Sequence, residues 1–252
     1  ANQSVALAKA GADVFHIGAF GKRDEHYLKE MREAGVNLNN VSLLGSESGH
    51  AVVMVDNETG ENQIVLSGSA NNKISKKQIE SALSNAKTTD WALAQNETSL
   101  VHEFLVSAKE KGLKICYSAA PFVAKQTASL LPFTNLLVVN EGEANALLKF
   151  LNKDVSELGL PHLVITLGSK GARYIGEEGD FFVAPFEVSP VDTTGAGDTF
   201  LGYLLASLSK GMSMEEAMSY GSAAASLQIT KQGALAAIPS LQEVETFIEE
   251  NS

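Results

Sequence analysis

Cysteine is nearly absent. Cys116 is the one thiol in 252 residues, which excludes an internal disulfide framework. It lies in the apolar run 113–117 and reads as a buried core thiol. Basic residues are short too: 19 Lys and Arg stand against 30 Asp and Glu, for a net charge of −11. That balance argues against nucleic acid as a partner and favours solubility. Any bound nucleotide would have to be held by local features, since the global field repels it. There is no apolar run of about 18 residues, the length a membrane span requires, and no signal-peptide pattern. We therefore expect no membrane partner and a cytoplasmic location. The five histidines are scattered at no metal-ligand spacing. No internal repeat or low-complexity segment interrupts the chain. What is plentiful is apolar residue, 44% against 19% charged, enough for one globular domain with a sizeable core.

The chain is organised around Asp192-Thr193-Thr194-Gly195-Ala196-Gly197-Asp198-Thr199-Phe200. Phe200, Leu201, Leu204, Leu205 and Leu208 follow at helical spacing, so Gly195, Ala196 and Gly197 sit where a helix starts. Backbone N–H groups there lack partners, and the macrodipole favours an anion. Small residues let that anion approach. Asp198 would repel a phosphate bound in a plain anion cradle. It fits if it takes a proton while the amides hold the negative charge that develops beside it. A carboxylate that merely favours the first helical turn is the equal alternative on spacing alone.

The nine-residue stretch resembles the C-terminal signature of the ribokinase-like sugar kinases, the phosphofructokinase-B type. The resemblance implies that Asp198 is the base that deprotonates the sugar hydroxyl. It makes the amides of Gly195, Ala196 and Gly197 the anion hole. It also implies a three-layer α/β fold, a mostly parallel sheet flanked by helices with a small β lid. The kinase domain is expected over 1–44 and 68–252, and the lid hairpin over 45–67. Such lids often pair with that of a second subunit, so a homodimer through the lid is expected.

Read in order, the chain opens Ala1-Asn2-Gln3. This is similar to the end of the family's Gly-Gly-x-Gly-Ala-Asn-Gln stretch, without its glycines. By resemblance about forty residues of opening strand and turn, a unit of tens of residues, precede it. The resemblance places Asn2 on the sugar; on its own, Asn2 also reads as a helix N-cap. The chain as written is expected to bind nucleotide but to be an inefficient sugar kinase. A strand is expected at 14–17, broken by Gly18 and Gly21, then a helix over 24–34 stopped by Gly35. Gly21-Lys22-Arg23-Asp24 departs from the family's acidic turn, and no role is carried onto it. Strands at 41–44, 49–56 and 62–66 surround turn residues 57–60. Gly68-Ser69-Ala70-Asn71 is similar to the return from the lid and points toward ribose as acceptor.

From Ser75 onward, apolar strands near 91–95, 113–117, 136–139 and 163–167 alternate with helices near 76–85, 100–111, 123–130 and 143–149. That indicates a parallel sheet covered on both faces, with active residues beyond the strand C-termini. Glu97 ends one strand and resembles the family's sugar-binding Glu; a helix-start carboxylate reads equally well. Asn140-Glu141-Gly142-Glu143 resembles the family's Asn-x-x-Glu. The resemblance implies ATP contact for Asn140 and indirect magnesium binding for Glu143, while a helix cap explains the spacing equally. Thr166-Leu167-Gly168-Ser169-Lys170-Gly171 lacks Walker A spacing and resembles the family's nucleotide loop. A hairpin at 174–175 and 181–183 precedes the central motif. Helices follow near 213–230 and 241–250. Ser222 falls among small residues 221–226, where close packing leaves room for an adenine ring. By resemblance Asp192, Thr194, Gln228, Lys231, Gly233 and Ala237 enclose potassium, mostly through carbonyls. Lys231 can offer only its carbonyl, since an ammonium has no acceptor.

The expected activity is transfer of the γ-phosphoryl group of ATP to a sugar hydroxyl, with Mg2+ and K+ as cofactors. Ribose, giving ribose 5-phosphate, is the first choice of acceptor. A related fructose, ketodeoxygluconate or nucleoside kinase is the alternative. A non-catalytic nucleotide-binding remnant is the rival of another class.

Overall fold

The computed structural model of the chain describes residues 1–55 and 62–251, and for 51–55 and 62–66 the backbone alone. Elements follow in the order α1 (Asn2–Lys9), β1 (Phe15–Gly21), α2 (Glu25–Glu33), β2 (Asn37–Leu44), β3 (His50–Val55), β4 (Asn62–Ser67) and α3 (Lys76–Leu83). Next come β5 (Trp91–Ala94), α4 (Val101–Glu110), β6 (Lys114–Ser118), α5 (Ala124–Leu130), β7 (Leu136–Asn140), α6 (Glu141–Leu151) and β8 (His162–Thr166). The chain ends with β9 (Ala172–Gly176), β10 (Gly179–Val183), α7 (Ala196–Ser209), α8 (Met214–Ile229) and α9 (Leu241–Glu250).

The largest sheet has six strands in the order β10-β9-β8-β7-β6-β5. Pairs β5–β6, β6–β7 and β7–β8 are parallel, while β8–β9 and β9–β10 are antiparallel. Side chains of a strand point alternately to opposite faces, and here each face has its own core. Leu136 and Val138 of β7 join Cys116 of β6 in one buried cluster, with residues of α1, α7 and α8. Leu137 and Val139 join Ile115 and Tyr117 in the other, with residues of α3, α4 and α6. These are the expected three layers, and Cys116 is the expected buried thiol.

Strand β1 pairs in parallel with β2 as a separate two-stranded sheet. It runs through Gly18 to Gly21, so these glycines do not break it. A Cβ on Gly21 would stand 2.6 Å from the Ser46 carbonyl oxygen, so its glycine marks a close backbone approach. The hairpin expected near the middle of the lid exists as antiparallel β3–β4, which pair with each other alone among the described residues. The turn expected at 57–60 lies outside the described residues.

Helix α7 packs closely on α1 and α8. A Cβ on Gly202 of α7 would stand 2.4 Å from the Ala6 side chain and 2.9 Å from the Leu7 amide nitrogen. A Cβ on Gly221 of α8 would stand 2.8 Å from the Phe200 carbonyl oxygen. The small residues of α8 thus do allow a tight helix pair, as their clustering predicts. No helix among the described residues is long and apolar enough to cross a membrane.

Candidate active site

Asp198 stands in the first turn of α7, whose N-cap is Gly195 at φ 80°. Glycine adopts that left-handed conformation without steric cost. The first N–H groups of a helix have no intrahelical acceptor. The Ala196 amide reaches back to the Thr193 carbonyl at a long 3.3 Å. A Cβ on Gly197 would meet nothing within 4 Å, so there is open space beside that residue.

Both carboxylate oxygens of Asp198 are held from α1. The Asn2 side-chain amide donates to Oδ2 at 3.0 Å and that of Gln3 donates to Oδ1 at 3.0 Å. Gln3 also reaches Ser118 Oγ at the end of β6, at 3.5 Å. Asn2 is therefore no N-cap: the cap is Ala1, without a side-chain bond. Gln3 and Ser118 escaped the sequence reading, although Gln3 directly follows Asn2 in the same stretch.

Glu97 follows β5 and remains solvent-accessible. The protein around it nevertheless pushes its carboxyl above the ordinary range, first by burial and then, in the same sense, by the Asp198 charge. Its neighbour Asn96 is fixed by three bonds. The Asn96 amide donates to the Ala120 carbonyl at 2.8 Å and its side-chain Nδ2 to that of Pro121 at 3.0 Å. The Tyr117 hydroxyl donates to its Oδ1 at 2.7 Å.

Asn140 and Glu143 form a capping box on α6: the Glu143 amide donates to Asn140 Oδ1 and the Asn140 amide to Glu143 Oε2, each at 2.8 Å. This is the cap the spacing also predicts, and it leaves Glu143 Oε1 outside the box. Asn140 pairs in register with Thr166, so the ends of β7 and β8 carry Asn140 and the 166–171 loop side by side. The loop closes with the Leu167 amide on the Gly171 carbonyl at 2.8 Å. Gly168 and Gly171 have φ of 60° and 96°, and Gly168, Ser169 and Lys170 are exposed. Ser222 is buried, and its hydroxyl donates to the Ala184 carbonyl at 3.1 Å.

Asp192, Thr194, Gln228 and Gly233 are joined directly. The amides of Thr194 and Gly233 donate to Asp192 Oδ1 and Oδ2, each at 2.9 Å. The Thr194 contacts first, then the Gly233 amide, hold the Asp192 carboxyl below the ordinary carboxylate range. Gln228 Nε2 donates to the Thr194 carbonyl at 3.0 Å. Lys231 turns its ammonium outward to Glu243 Oε1 at 2.9 Å. Ala237 is buried.

The three parallel pairs point the C-terminal ends of β5 to β8 the same way, so Glu97, Ser118, Asn140 and Thr166 share one edge of the sheet. Gln3 ties α7 and Asp198 to that edge through Ser118. A carboxylate beside the N-terminal amides of a helix, with a glycine-flanked exposed loop along the same sheet edge, can take a proton from a hydroxyl while holding an anionic group.

Known proteins are similar to this chain over nearly its whole length. The chain is similar to the ribokinase of Haemophilus influenzae, 32% identical over 266 residues that span 99% of this chain and 86% of that protein. The fold is similar to that of the Thermotoga maritima ribokinase, with TM-score 0.85 and 29% identity over 98% of this chain and 86% of that one. It is also similar to the Arabidopsis thaliana ribokinase, solved with ribose and ATP, with TM-score 0.82 and 26% identity over 98% of this chain and 86% of that one. The family model for pfkB family carbohydrate kinases matches residues 1–241. The chain therefore belongs to the pfkB family of carbohydrate kinases.

Proposed function

We propose that the protein transfers the γ-phosphoryl group of ATP to a sugar hydroxyl, with ribose as its acceptor. The observation that carries this reading is Asp198, held by Asn2 and Gln3 beside the open first turn of α7. The Asp198 carboxylate takes the proton of the hydroxyl as its oxygen attacks the γ-phosphorus. The bond to the bridging oxygen breaks and ADP departs. The amides of Gly195, Ala196 and Gly197 hold the charge on the transferring group, so positioning and electrostatics supply most of the catalysis. Asn2 and Glu97 bind the sugar. Asn140, the 166–171 loop and Ser222 face the nucleotide. Both ligands are those named for the Arabidopsis thaliana ribokinase.

Glu143 would hold magnesium indirectly, in keeping with an ion that retains several waters. Magnesium, when bound, offsets the negative charge of the phosphates. Asp192, Thr194, Gln228, Lys231, Gly233 and Ala237 enclose potassium. A buried Gln228 Oε1 without a protein partner fits such an ion. Residues 45–67 form a lid on the kinase domain of 1–44 and 68–252, and two lids pair in a homodimer. The separate β3–β4 sheet supports that division. A cytoplasmic location suits this chemistry.

The test is acceptor-dependent ADP release by the full-length protein over ribose, fructose, ketodeoxygluconate and nucleosides. The highest kcat/KM is expected with ribose. A better nucleoside or fructose would replace the acceptor, and no acceptor-dependent release at all would end the kinase reading.

A further inference from the structure

Gln228, near the C-terminal end of α8, is completely buried, with 0% exposure. A buried primary amide is costly unless its donors and acceptor all find partners. Its donors do: Nε2 gives one hydrogen to the Thr194 carbonyl at 3.0 Å and the other to the Ala234 carbonyl at 3.1 Å. The first carbonyl lies just before Gly195, the second on the loop after α8. An exchange of nitrogen and oxygen would set Oε1 against two carbonyl oxygens, so the network fixes the orientation. The side-chain Oε1 is left buried with no protein partner. The backbone oxygen of Gln228 is already used, by the Lys231 amide at 3.0 Å.

The groups joined to this amide are acceptors: two carbonyls directly, and through Thr194 the carboxylate of Asp192. A cluster of carbonyl and carboxylate oxygens suits a hard cation. A single carboxylate among neutral oxygens suits low charge.

We infer that Gln228 Oε1 is a direct ligand of the monovalent cation, rather than the Gln228 backbone carbonyl. One side chain then performs two tasks. Its nitrogen ties the turn before the anion hole to the 233–237 loop, and its oxygen binds the ion between them. The inference rests on the cation reading proposed above.

Two measurements test it without recourse to activity. The first is anomalous diffraction from crystals of the protein grown in rubidium chloride. A peak in direct contact with Gln228 Oε1 is expected. A rubidium site elsewhere on the loop, with water or nothing on Oε1, would overturn the assignment. The second is thermal stability in potassium against lithium at fixed ionic strength, since an ion that binds the native state alone raises the melting temperature. Wild type should melt higher in potassium, and Gln228→Met should lose that difference. An undiminished difference in Gln228→Met would overturn the Oε1 ligand while leaving the cation site standing. No difference in wild type would overturn the cation site itself.

Discussion

Asp198 is reached by two donors from one helix turn, and they do not have the same standing. Asn2 is partly exposed, whereas Gln3 is buried at 6% exposure and bridges Asp198 to Ser118. Gln3 therefore acts as a positioning residue. A hydrogen bond to a charged group contributes about 1.5–3 kcal/mol, equivalent to about 10–100-fold in rate. Gln3→Met, which keeps the length and drops the donor, should lower kcat by that factor. The nucleotide dissociation constant, measured by calorimetry, should stay put. An unchanged kcat would show that Asn2 alone suffices to orient the base. The placement of Asp198 and its glycines at the start of α7 was legible in the sequence because the whole motif is contiguous. Gln3–Asp198 and Tyr117–Asn96 were not, since each bond joins distant parts of the chain and leaves no local pattern.

Among elements, α7 carries the site, and what holds it in place is its crossing with α1 at Gly202. There the backbone of Ala6 and Leu7 leaves no space for a methyl group. Gly202→Ala improves intrinsic helix propensity by about 1 kcal/mol, yet overpacking costs about 1–3 kcal/mol. The net expectation is a lower melting temperature. Because relief must move α1, which bears Asn2 and Gln3, kcat should fall as well. A variant that melts at or above wild type would show that α1 yields freely. The long apolar strands and the helices between them were readable from periodicity. Strand β1 was cut short because glycine reads locally as a breaker. At Gly21 it instead admits the Ser46 carbonyl, a contact made only once the 46–48 segment has folded back.

At the scale of the molecule, the alternation of β6 and β7 residues between two cores fixes a sheet with helices on both faces. That arrangement brings loop residues far apart in sequence to a common edge. The layers were legible because buried parallel strands are continuously apolar. The Gln228 clamp and the separation of β1–β2 from the six-stranded sheet were not, because they depend on packing partners. The account stands or falls on the base at that edge. Its most direct test is single-turnover phosphoryl transfer by Asp198→Asn, with ATP affinity measured in parallel. General bases contribute about 10²–10⁴-fold. The account predicts a loss of at least about 10²-fold in the chemical step, with nucleotide affinity unchanged. A variant that keeps more than about a tenth of the wild-type rate would contradict it.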